Sequence, residues 1–174
     1  MLSEVDRINK IWDSIEAWYA KNGLSDDLLP GASVSEIHNL EAKLDLTLPE
    51  SLKVSLARHN GIEYDWPKGR LLGTDGILEF WEMWGEMTNN AEAEEEEDEG
   101  DTEIIKTFWS KYWIPIESDD SGAGALIDLS PGPKGKVGQI LYFDDHDRAT
   151  DVIFENLAAL LEDGLRCLEE GKNE

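Results

Sequence analysis

Apolar residues at the start of the chain recur at steps of three and four. Leu2, Val5, Ile8, Ile11, Trp12, Ile15, Trp18 and Tyr19 fall on one face of a helix. Ser3 followed by Asp6 offers a capping box at its start, and Asn22-Gly23 offers a stop. Residues 24–32 contain Pro30-Gly31 and read as a loop. Ser33 and Glu36 make a second capping box, and Val34, Ile37, Leu40 and Leu44 predict a second helix. Pro49 stands where a third helix begins. Leu52, Leu56 and His59 share its face, and Asn60-Gly61 ends it.

The middle of the chain has a less uniform pattern. Residues 62–76 mix Tyr64, Trp66 and several glycines, which predicts turns around a short strand at Arg70–Leu72. Ile77, Leu78, Phe80, Trp81, Met83, Trp84 and Met87 fit a fourth helix, or a strand followed by a helix. Further on, apolar runs at Ile114–Ile116, Ala125–Leu129 and Val137–Phe143 alternate with turns at 119–124, 130–135 and 144–147. That spacing predicts an antiparallel meander. Ile153, Phe154, Leu157, Leu160, Leu161, Leu165 and Leu168 predict a C-terminal amphipathic helix. Helices first, strands next and a helix last indicate an α+β fold, with helices packed against an antiparallel sheet.

Length and charge narrow the reading. The 174 residues suit one domain, 1–174. Nine of the twelve positions from 92 to 103 are acidic, which reads as a flexible acidic insertion at about 91–103. The formal net charge is −24, with 39 acids against 15 Lys and Arg. Such a surface repels phosphate backbones and attracts basic proteins, so nucleic acid is not an expected partner. No apolar run approaches the length of a membrane span, so no membrane partner is expected either. Cys167 is the only cysteine, which rules out an intramolecular disulfide and suits a reducing cytoplasm.

Asp119-Asp120 and Asp144-Asp145-His146-Asp147 fall in two turns that a meander would bring to one end of the sheet. Clustered carboxylates with a histidine suit a divalent cation and a metal-dependent hydrolase. Aspartates also close turns by bonding their own backbone, and turn acids meet basic partners, and these two readings are preferred. His59 reads as a residue at the core edge. Cys167 stands among Glu162, Asp163, Glu169 and Glu170, a setting that disfavours a reactive thiolate. No nucleotide, zinc or nucleophile motif occurs, so neither a catalytic residue nor a cofactor is expected. Periodicity places Trp12, Trp18 and Trp113 in the core but leaves Trp66, Trp81, Trp84 and Trp109 open. Trp66 and Trp84 are taken as candidate interface anchors. The candidate partner-binding set is therefore Asp119, Asp120, Asp144, Asp145, Asp147, Trp66 and Trp84.

The order of motifs supports a comparison. Leu48-Pro49-Glu50-Ser51-Leu52 is followed by Asn60-Gly61. Then come Trp113-Ile114-Pro115-Ile116, Asp119 to Gly122, Leu126 to Pro131 and Gly138-Gln139-Ile140. Together these resemble the SUKH superfamily over roughly residues 33–165, whose founding members are the fungal Smi and Knr cell-wall regulators. The resemblance implies helices against an antiparallel sheet and a non-enzymatic, protein-binding role. Bacterial members are commonly immunity proteins of contact-dependent or polymorphic toxin systems, which bind and neutralise a cognate toxin, often a nuclease. The compact chain looks more like that kind, so the expected partner is a basic toxin. The alternative is a regulatory scaffold in a signalling or cell-wall synthesis pathway.

Overall fold

The computed structural model describes residues 1–89, 102–105 and 107–171. Most of the acidic insertion lies outside these residues. Helix α1 (Glu4–Lys21) starts at the Ser3–Asp6 capping box and buries Ile8, Ile11, Trp12, Ile15 and Tyr19. A 3₁₀ turn at Ser25–Asp27 leads to α2 (Val34–Leu44), capped reciprocally by Ser33 and Glu36. Helix α3 (Glu50–Arg58) takes Pro49 as its N-cap, one place earlier than the first helical position. It is tied to α1 where Trp12 Nε1 donates to Ser55 Oγ at 2.9 Å.

Asn60 links the end of α3 to the start of α4 (Thr74–Asn89). Its Oδ1 accepts from the Thr74 backbone N–H at 2.8 Å, and its Nδ2 donates to Thr74 Oγ1 at 3.2 Å. The ambiguous stretch around Ile77–Met87 is therefore one continuous helix. Between α3 and α4 the chain makes a hairpin, β1 (Ile62–Trp66) and β2 (Gly69–Leu71). The first of these strands carries Glu63, Tyr64 and Asp65 between two buried ends, and that polarity hides it from pattern reading.

Strands β3 (Trp113–Ser118), β4 (Gly124–Asp128), β5 (Gln139–Asp144) and β6 (Arg148–Phe154) continue the sheet. Among the described residues the sheet has six strands, in the order β1-β2-β3-β4-β5-β6. Every neighbouring pair is antiparallel. The expected meander is thus longer than its sequence signal. Ile153 and Phe154 belong to β6, not to the last helix. Asn156 caps that helix, α5 (Leu157–Glu170), by accepting from the Ala159 N–H.

Both faces of the sheet are covered. Glu117 and Tyr142 both pair with Ala125, whereas Phe143 pairs with Gly124, so Glu117 and Phe143 point to opposite sides. Helix α4 covers the Phe143 side, where Trp84 meets Phe143 with ring centroids 4.4 Å apart. Helix α5 covers the Glu117 side, and α1 packs on α5. Burial from both sides explains why Trp113-Ile114-Pro115-Ile116 reads as an unbroken apolar run.

Candidate functional site

The hairpin ends place three turns together. Arg70 pairs with Ser118, Ser118 with Gly124, Gly124 with Phe143 and Phe143 with Ala149. The turns β1–β2, β3–β4 and β5–β6 therefore share one end of the sheet. A Cβ added to Gly122 would lie 2.8 Å from Asp145 Cγ, so the second and third turns touch. This brings Asp119, Asp120, Asp144, Asp145 and Asp147 into one neighbourhood, as the sequence anticipates.

The five aspartates have different roles there. Asp119 Oδ1 accepts from the Ser121 N–H at 2.8 Å, the Ser121 hydroxyl at 2.7 Å and the Ala123 N–H at 3.2 Å. Burial works against its charge, but these donors outweigh it and hold its pKa below the usual carboxylate value. Asp144 Oδ1 closes the last turn by accepting from the N–H groups of His146 at 2.9 Å and Asp147 at 2.6 Å. Asp120 grips Arg70, with Nη2 donating to Oδ1 at 2.6 Å and Nε donating to Oδ2 at 3.1 Å. Asp145 and Asp147 are exposed, and Asp145 has His146 Nε2 3.8 Å away. Two carboxylates thus build turns, one is neutralised, and two face solvent. Among the described residues, no group of three or more His, Cys, Asp or Glu could hold a metal ion.

The two candidate tryptophans are not at this surface. Trp66 is 4% exposed and Trp84 2% exposed. Trp66 Nε1 donates to Glu117 Oε2 at 2.7 Å, and its ring lies where a Cβ on Gly164 would come within 2.2 Å. Trp84 packs against Phe80, Trp109 and Phe143. Both are core residues, a correction to their reading as interface anchors. Glu117 lies 51 positions from Trp66, and Trp109 and Phe143 are brought to Trp84 by the sheet, so local pattern does not decide their burial.

Glu117 is an anion-forming group placed in the core. Burial pushes its pKa up to about 7, against the opposing effects of the Trp66 donor and Lys68. His59 sits at the core edge as expected, with Nε2 2.9 Å from Glu16 Oε1 and Nδ1 2.5 Å from Leu29 O. Cys167 is buried.

Helix α4 carries a second group that the motif reading passes over. Asp75, Glu79, Glu82 and Glu86 are exposed, as are Met83 and Met87. The four-three-four spacing was visible in the sequence. It becomes one face only once the stretch is a single helix. Arg70 adjoins this group, since its guanidinium lies over the Phe80 ring at 5.8 Å and feels the charge of Glu79. One surface therefore runs from the turn acids through Arg70 to α4.

Comparison with known proteins adds the lineage. A model of the "SMI1 / KNR4 family (SUKH-1)" matches residues 31–163. A "Glucan synthesis regulatory protein" of Neurospora crassa is 29% identical over 78% of this chain and 34% of its own length. A "Cell wall biosynthesis/cell cycle regulator smi1" of Schizosaccharomyces pombe is 27% identical over 95% of this chain and 37% of its own. A "Cell wall assembly regulator SMI1" of Saccharomyces cerevisiae is 22% identical over 92% of this chain and 40% of its own. The chain thus spans little more than a third of the length of these curated relatives. Their names overturn the expectation of a toxin-neutralising immunity protein and agree with the alternative, a regulator of wall synthesis. Acidity and a compact sheet serve either role, so the sequence pattern alone did not separate them. By the match of its family model over most of its length, this chain belongs to the SMI1/KNR4 family (SUKH-1).

Proposed function

We propose that this chain is a non-catalytic docking module that acts in the regulation of cell-wall glucan synthesis. One observation carries the reading: the chain aligns over 95% of its length with a protein named as a cell wall biosynthesis regulator. The physical chemistry supports it. A chain of net charge −24 speeds the approach of a basic protein and penalises acidic competitors. Asp145 and Asp147 are exposed, so their charge is presented to solvent at the sheet end. Asp144 closes the turn that carries them by accepting from the His146 and Asp147 N–H groups.

The test is genetic. Deleting the coding sequence in the host should lower wall glucan and raise sensitivity to a glucan-synthase inhibitor, and restoring it should reverse both. Unchanged glucan content and unchanged sensitivity in the deletion strain would remove the reading.

A further inference from the structure

The geometry points to the outer face of α4 as a docking surface for a basic amphipathic helix of another protein. This inference rests on the reading of the chain as a docking module and names the face and the occupant. At 3.6 residues per turn, Asp75, Glu79, Glu82 and Glu86 fall within an arc of about 60°. Met83 and Met87 form the adjacent strip, one turn apart, and are 40% and 42% exposed. Phe80 borders that strip on its buried side and is 8% exposed. The face is therefore two parallel rows, one anionic and one apolar, on a helix of 16 residues.

Three features select the occupant. The helix contains no Lys or Arg from Thr74 to Asn89, so none of its own residues offsets the carboxylates. Arg70, a cation beside the row, is already held by Asp120. Methionine side chains are flexible and polarizable, and adapt to apolar partners of varied shape. A partner helix with Lys or Arg at four-three-four spacing and an adjoining apolar row would satisfy both rows at once. A second copy of this chain does not fit, because pairing α4 with α4 would set carboxylates against carboxylates.

The test uses the full chain and a designed 16-residue helical peptide. The peptide carries Lys at four-three-four spacing with leucines along the adjacent strip, and a scrambled peptide of the same composition is the control. The expected result is saturable one-to-one binding of the designed peptide, with shifts of the Met83 and Met87 methyl resonances. The scrambled peptide should bind at least tenfold more weakly. Met83→Ser with Met87→Ser should raise Kd at least tenfold and leave the circular dichroism spectrum unchanged. Glu79→Gln, Glu82→Gln and Glu86→Gln together should slow association and flatten its salt dependence. Equal binding of both peptides, or methyl shifts confined to residues other than Met83 and Met87, would overturn the proposal. So would self-association through α4. None of these outcomes touches the glucan assay, whose failure would instead remove the functional reading.

Discussion

Glu117 offers a sharp quantitative test of the core. Glu117 is 7% exposed, and Trp66 Nε1 donates to its Oε2 at 2.7 Å. Burial lifts its pKa from 4.5 to about 7, with Asp163 adding to the effect and Trp66 and Lys68 opposing it. At about 1.4 kcal/mol per pKa unit, that shift corresponds to about 3 kcal/mol of linked free energy. The sign follows from the raised value. The unfolded chain releases this proton near pH 4.5, while the folded chain keeps it until about pH 7. Stability is therefore lost as pH rises through that window and levels off above it. Glu117→Gln keeps an acceptor for Trp66 but cannot titrate. Its amide donors lack partners, at a cost of about 1–3 kcal/mol that does not vary with pH. The assay is urea unfolding of both proteins at several pH values from 5 to 8. The wild-type protein should lose about 2–3 kcal/mol relative to the variant across that range. A difference between the two that stays constant with pH would refute the assignment of Glu117 as a buried, sparsely solvated carboxyl.

Other substitutions probe the remaining contacts. Gly164→Ala forces a Cβ against the Trp66 ring, and urea unfolding should show a loss of about 1–3 kcal/mol. Asn60→Ala removes the cap on α4 at Thr74, and the same assay should report a loss of about 1–2 kcal/mol. Asp120→Asn breaks a partly exposed pair with Arg70, so stability should change by less than about 1 kcal/mol.

The first two helices are legible in the sequence. Capping boxes at Ser3 and Ser33 and apolar spacing in α1 and α2 are local signals, and both helices appear where those signals place them. The strands β1 and β6 were not visible. They are outer strands with polar residues such as Glu63, Asp65, Arg148 and Asp151, and pairing across the sheet supplies what their composition does not. The acidic turns could be placed together because a meander repeats its ends on one side. Which aspartates remain free could not be read, since Arg70 reaches Asp120 from 50 positions away. The burial of Trp66 and Trp84 likewise depends on Glu117 and Phe143, which only the folded sheet brings near. Charge indicated a basic partner, but charge does not specify a pathway, and the toxin reading failed at that step.

The proposal that this chain docks a basic protein in wall regulation places exposed charge for it on Asp145 and Asp147 at the sheet end. It is tested by wall glucan content in a deletion strain supplied with the chain carrying Asp145→Asn and Asp147→Asn, the two exposed turn aspartates. The expected result is a folded protein, shown by an unchanged melting temperature, that leaves glucan at the level of the deletion strain. Full restoration of glucan by this variant would contradict it.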